Sequence, residues 1–152
     1  MTADPSVLLR IESGVATITL NRAETKNRLD AESMALLLEH LDATAQDRQV
    51  RVVVLTGSGT TFCSGADLSG ALAATSGGFA SGGTSGLVEV LTAMLDHPKP
   101  IVGRIQGHVA GGGNGLVASC DIAVASADAK FAFSEVRVGV APAIISVVCL
   151  QV

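Results

Sequence analysis

Apolar and polar positions change period several times along this chain, and each change marks an element. In VLLRIESGVATITLNR, Val15, Thr17 and Thr19 alternate with Ala16, Ile18 and Leu20, which predicts two short strands about a Ser13–Gly14 turn. The period then lengthens. Met34, Leu37, Leu38 and Leu41 recur at i, i+3, i+4 and i+7, the stripe of an amphipathic helix, and Asp30 stands where its N-cap belongs. RVVVLTG is a compact apolar run closed by glycine, as a buried parallel strand requires. From Gly57 to about Gly86, glycine and serine dominate, and the stretch reads as a loop long enough to suggest function or mobility. LVEVLTAMLDHP predicts a second helix stopped by Pro98, and PIVGRIQG the next strand. AGGGNGLVASCD follows as a glycine cluster opening a short apolar helix, and DIAVAS and KFAFSE are two further short strands. Strand and helix alternate, so the class is α/β, with residues 1–152 forming a single domain.

Composition narrows the partners. A chain of 152 residues that is 48% hydrophobic and 16% charged has enough apolar material for one real core and is not a disordered polymer. The net charge of −4, with no block of Lys or Arg, argues against nucleic acid and anionic membrane. Cys63, Cys120 and Cys149 lack CxxC spacing and read as free thiols of a reducing compartment, which places the protein in the cytoplasm. The N-terminus has neither a basic start nor a long apolar run, so no signal peptide is expected. The longest uncharged window, Leu68 to Val88, carries six glycines and reads as loop rather than membrane span. His40, His97 and His108 are scattered, none beside a Ser or Cys in a nucleophile motif, and no metal site is expected. Asp67 and Asp121 read as turn or cap residues, and Cys63 as a small buried one.

The glycine cluster is the chemical feature that stands out. Gly111, Gly112, Gly113 and Gly115 fall within five residues, although glycine costs about 1 kcal/mol against alanine inside a helix. Something must approach the backbone closely there. A P-loop ends in Gly-Lys-Ser/Thr, whereas Gly113 is followed by Asn114. A dinucleotide fingerprint needs a third glycine where Leu116 stands. The remaining chemical use is an oxyanion hole, in which bare N–H groups face a developing negative charge. One donor is seldom enough, and FCSGADLSG, with Ser64-Gly65-Ala66 after a strand and turn, is the candidate for the other. Taken alone, either stretch is explained equally well by tight packing of a turn.

Together the stretches resemble the crotonase superfamily, the enoyl-CoA hydratases and isomerases, over nearly the whole chain. TLNRAETKNRLD is similar to that family's NRP-x-x-x-NAL segment, and GTTFCSGADL to its first oxyanion motif. KPIVGRIQGHVAGGGNGLVASCDIAVASADAKFAFSEVRVGVAP is similar to its second motif and the segment beyond. GGGNGLVASCDIAVA and FSEVRVGVAPAIIS are especially similar to the bacterial methylglutaconyl-CoA hydratase branch.

The resemblance implies a spiral of ββα units and an acyl-CoA thioester substrate. Its carbonyl oxygen would lie between the N–H groups of Ala66 and Gly112, and Glu135 would move the proton. Arg22, Ala23 and Lys26 fall where the family meets the nucleotide end of CoA, and Leu68 where it meets the adenine; Ser64, Asp67, Gly111 and Asn114 complete the implied substrate contacts. CoA arrives as part of the substrate, and no separate cofactor is implied. The family's other glutamate falls on Gly115, which has no side chain. Two reactions are therefore open: hydration of a 2-enoyl-CoA, with water held by Asn114 or another group, and isomerisation by one glutamate shuttling a proton between C2 and C4. Family members continue through C-terminal helices that close the acyl pocket and build a trimer or dimer of trimers, whereas this sequence stops at PAIISVVCLQV. A homo-oligomer is expected if those helices are not essential. A truncated, non-catalytic CoA-binding remnant is the alternative from another class.

Overall fold

Ser13 and Gly14 both take positive φ, 51° and 83°. That is the geometry of a two-residue hairpin turn whose twist matches its strands. In the computed structural model, which describes residues 4–66, 81–133 and 143–150, this turn joins β1 (Val7–Glu12) to β2 (Val15–Leu20), paired antiparallel with Leu9 opposite Ile18. Alternation does what the sequence predicts: Ala16, Ile18 and Leu20 are buried, while Val15, Thr17 and Thr19 are only half-buried. The helix α1 (Ala31–Gln46) starts at Asp30, whose carboxylate accepts the Ser33 N–H at 2.8 Å. Met34, Leu37 and Leu41 of the expected stripe are buried, and Leu38 packs half-buried against the same core.

From there the chain repeats one move. β3 (Val52–Gly57), β4 (Thr61–Cys63) and α2 (Ser81–Leu95) are followed by β5 (Ile101–Ile105), β6 (His108–Ala110) and α3 (Gly112–Ala118). The last round is β7 (Ile122–Ala125), β8 (Phe131–Ala132) and α4 (Ala143–Cys149). In each of these rounds the first strand joins a five-stranded sheet of order β1-β2-β3-β5-β7, parallel from β2 onward. The second strand joins a smaller parallel sheet of order β4-β6-β8. The result is a spiral of ββα units. Ile18, Leu20, Val53, Leu55, Ile101 and Ile105 share one core with Leu37, Leu41, Val90, Leu91 and Met94. No helix among the described residues is long and apolar enough to cross a membrane.

Two elements, β4 and the start of α2, depart from the sequence reading. The stretch expected to be loop from Gly57 to Gly86 contains β4 and the first turns of α2; its residues 67–80 lie outside the described residues. β4 is only three residues long, too short to show a period, and is fixed by pairing with β6 and by full burial of Phe62 and Cys63. Helix α2 takes in a glycine-rich start and meets α1 closely at Gly86, where a Cβ would stand 3.1 Å from the Met34 sulfur. The apolar C-terminal stretch forms α4, which buries Ile145 and Val148 but leaves Val147 exposed.

Candidate active site

β4 and β6 lie side by side, with Thr61 opposite His108 and Cys63 opposite Val109. Ligand sites in parallel sheets form beyond the carboxyl ends of the strands. Here the chain leaves β4 through Ser64-Gly65-Ala66 and leaves β6 through Gly111 into α3. The two exits touch backbone to backbone. A Cβ built on Gly65 (φ +94°) would lie 2.9 Å from the Ala110 oxygen and 3.0 Å from the Gly112 nitrogen. One on Gly112 would lie 3.0 Å from Leu87 Cδ2 and 3.4 Å from the Ala66 nitrogen. One on Gly113 would meet both Cβ and the oxygen of Cys63 at 2.9 Å. The glycines therefore let the start of α3 press against the end of β4 and leave the Ala66 and Gly112 amides near each other. Gly115 serves another contact, since a Cβ there would lie 3.0 Å from Ile145 Cγ2 and 3.1 Å from Leu91 Cδ1.

Peptide planarity orients these amides. In a trans peptide the N–H points opposite to the preceding C=O, and among the described residues no peptide bond is cis. The Gly65 oxygen accepts the Leu29 N–H at 2.8 Å, within a bridge joining Leu29 and Ala66. The Ala66 N–H therefore points away from Leu29. The Gly111 oxygen accepts the Asn114 N–H at 2.9 Å and its side-chain Nδ2–H at 3.1 Å. The Gly112 N–H therefore points out of the helix. Among the described residues, neither N–H has a protein acceptor.

The supports of this seam include residues the sequence reading gave no role. Asn27, 2% exposed and at φ 53°, donates from Nδ2 to the Ser58 and Thr61 oxygens at 2.9 and 2.7 Å. Its Oδ1 accepts the Arg22 N–H at 2.9 Å. Ser64 N–H donates to the Lys26 oxygen at 3.0 Å, so residues 26–29 run beside residues 64–66. An asparagine within a turn-rich stretch was the available signal, because Asn tolerates left-handed backbone. Leu87, which walls the Gly112 position, carried no signal beyond its place in a helical stripe.

The structure brings Lys26, Ser64, Ala66, Gly111, Gly112 and Asn114 into this seam. Lys26 is exposed. The Arg22 guanidinium is turned to the protein: Nη1 donates to the Asp4 oxygen at 2.7 Å, and Nη2 lies 3.7 Å from Glu32. Ala23 sits in an exposed single turn, Ala23–Thr25, 3.0 Å from where a Gly59 Cβ would be. Asp67, Leu68 and Glu135 lie outside the described residues. Phe131 and Phe133, upstream of Glu135, are about half exposed, at 51% and 46%. Asp121 caps a strand start, accepting the Ile101 N–H at 2.7 Å.

Cys63 and Cys120 carry free thiols that are unreactive in character. Burial pushes Cys63 up to about 12, against a hydrogen bond from the Gly65 N–H that favours the thiolate. Burial and the neighbouring Asp121 charge push Cys120 up to about 12. Neither is a nucleophile at neutral pH. Among the described residues no group of three His, Cys, Asp or Glu side chains is placed to hold a metal.

Spiral and seam together define an α/β protein of repeating ββα units with two outward-facing amides at the ends of adjacent parallel strands. Residues 10–151 match the enoyl-CoA hydratase/isomerase family, and the chain belongs to it. It is 38% identical to (E)-benzylidenesuccinyl-CoA hydratase of Thauera aromatica over 87% of this chain and 51% of that protein. It is 34% identical to 1,2-epoxyphenylacetyl-CoA isomerase of Escherichia coli over 90% of this chain and 53% of that one. The fold is the crotonase fold. It superposes on an enoyl-CoA hydratase of Mycobacterium smegmatis with a TM-score of 0.90 at 37% identity, covering 97% of this chain and 58% of the other. The chain spans about half the length of the curated relatives it matches.

Proposed function

We propose that this protein binds the carbonyl oxygen of an acyl-CoA thioester between the N–H groups of Ala66 and Gly112 and hydrates a 2-enoyl-CoA. The observation that carries this is the approach of the two amides, with the space for a Gly112 Cβ opening 3.4 Å from the Ala66 nitrogen. Addition of water to an α,β-unsaturated thioester places negative charge on the thioester oxygen as an enolate forms. Two fixed donors at that oxygen would contribute about 3–4 kcal/mol each. Glu135 is the proton carrier, general acid–base work suited to a carboxylate with raised pKa. Lys26, exposed beside the seam, suits the CoA phosphates. CoA enters only as part of the substrate. The protein acts in the cytoplasm and, if the C-terminal helices of the family are not essential, as a homo-oligomer, a trimer or dimer of trimers, which its mass in solution tests.

One observation favours isomerisation as a second reading. Gly115 stands where the resemblance expects another glutamate, and its Cβ space is bounded by Leu91 and Ile145. A single carboxylate suffices to carry a proton between C2 and C4. The relatives include a named hydratase and a named isomerase. The test is turnover of crotonyl-CoA, followed by loss of enoyl absorbance, beside turnover of a 3-enoyl-CoA. Hydration abolished by Glu135→Gln supports the first reading. Conversion of the 3-enoyl substrate alone supports the second. CoA-thioester binding without either turnover points to a non-catalytic CoA-binding chain and overturns both.

A further inference from the structure

The Asn114 carboxamide is committed to the backbone at two places. It is 6% exposed, and its Nδ2 donates to the Gly111 oxygen at 3.1 Å and to the Ala132 oxygen at 2.9 Å. Both carbonyls have a second donor. Asn114 N–H donates to Gly111 at 2.9 Å, and Gly111 N–H to Ala132 at 3.0 Å. Gly111 takes φ 51°, ψ −130°, which an L side chain rarely adopts. Its carbonyl shares a peptide plane with the Gly112 N–H, so whatever holds that oxygen aims that hydrogen. Ala132 ends β8, three residues before Glu135.

We propose that Asn114 is a positioning residue that aims the Gly112 N–H at the thioester oxygen and ties it to the end of β8. This rests on the oxyanion reading above. It assigns the carboxamide to the aim of the donor, where the resemblance alone implied a substrate contact or a hold on water. An apolar replacement would leave the Gly111 carbonyl on the residue-114 main-chain N–H alone, so that its peptide, and the Gly112 N–H with it, is held less firmly.

The test uses the full chain and 4-dimethylaminocinnamoyl-CoA, a thioester whose absorption moves to the red when its carbonyl is polarised by hydrogen bonds. Wild type is expected to show the shift, and its absence there removes the oxyanion reading and this proposal together. Asn114→Ala is expected to bind with similar affinity while the shift at saturation falls to roughly half or less, since one of two donors loses its aim. Thr44→Val, which deletes a buried hydroxyl bonded to the His40 and Leu41 oxygens far along the chain, controls for lost stability and is expected to keep the full shift. A full shift in Asn114→Ala overturns the proposal while leaving the oxyanion reading intact. Asn114→Asp supplies an independent readout, because a carboxyl group donates only when protonated. Its shift should grow as pH falls from about 8 to about 5, a range reached because burial raises a carboxyl pKa, while the wild-type shift stays flat. A flat profile for Asn114→Asp contradicts the proposal.

Discussion

Gly65 and Gly112 meet so closely that a Cβ on the first would stand 3.0 Å from the amide nitrogen of the second. Neither residue belongs to the other's strand or helix; the contact exists because β4 and β6 are neighbours in the small sheet and both chains leave it on the same side. Everything proposed about the thioester follows from this contact and from the hydrogen bonds that hold the preceding carbonyls.

Neighbouring glycines of the cluster should respond differently to alanine. In Gly112→Ala the new methyl meets Leu87 Cδ2, the end of a flexible side chain, at 3.0 Å and intrudes on the Ala66 amide at 3.4 Å. The protein should fold, and turnover should fall by about 10²–10³-fold, as for loss of an oxyanion donor. In Gly113→Ala the methyl meets the Cys63 backbone oxygen at 2.9 Å, which cannot move aside without shifting β4. Urea unfolding should show a loss of about 1–3 kcal/mol. Equal stability losses in the two variants would contradict the assignment.

Asn27→Gly tests the support beneath Ala66. Glycine accepts φ 53° without strain, so the change isolates the lost hydrogen bonds to Ser58, Thr61 and the Arg22 N–H. Each buried group left unpaired costs about 1–3 kcal/mol. A total loss of at least ~2 kcal/mol is expected by denaturant titration, and a change below the error of the method would show that the loop is held by other means.

The strand pattern of β2, the Asp30 cap and the α1 stripe were legible in the sequence because each is local: one period or one side chain decides it. Ala66 and Gly112 were picked out through motif resemblance, and the sheet explains why two distant motifs meet. β4 and the start of α2 were not legible, since three residues show no period and a glycine-rich turn carries no helical stripe, while its contact at Gly86 with Met34 is tertiary. Asn27 escaped, and Asn114 was legible only as a substrate contact or a hold on water, for a related reason. Their partners are backbone carbonyls brought near by topology, and no spacing in the chain announces a carbonyl.

Cys63 should resist alkylation in the folded protein. It is fully buried, and its thiol is pushed up to about 12, so at pH 8 almost none is thiolate. Iodoacetamide followed by peptide mass analysis should label Cys63 only in denaturant. The same shift carries a stability sign. A raised thiol pKa contributes stability below the ordinary value of 9.0 that is lost as pH rises toward about 12. Rapid labelling of native protein would contradict the burial of β4.

Asp30 carries the opposite sign. Burial alone would raise its carboxyl, but hydrogen bonds from the Ser33 N–H and hydroxyl, with the Arg22 charge, hold it below the usual carboxylate value. Its contribution is present above the unfolded-state pKa and lost as pH falls through the folded one. Asp30→Ala should cost about 1 kcal/mol at neutral pH and flatten the acid limb of the stability curve. An unchanged acid limb would place the sensitivity elsewhere.

The central claim concerns two hydrogens and one oxygen. Amide proton spectra of protein labelled with ¹⁵N at glycine and alanine, titrated with butyryl-CoA, whose saturated acyl chain does not react, observe those hydrogens directly. The Ala66 and Gly112 resonances should move downfield together along one saturation curve, as both take the same acceptor. Saturable binding that leaves either resonance in place would contradict the account.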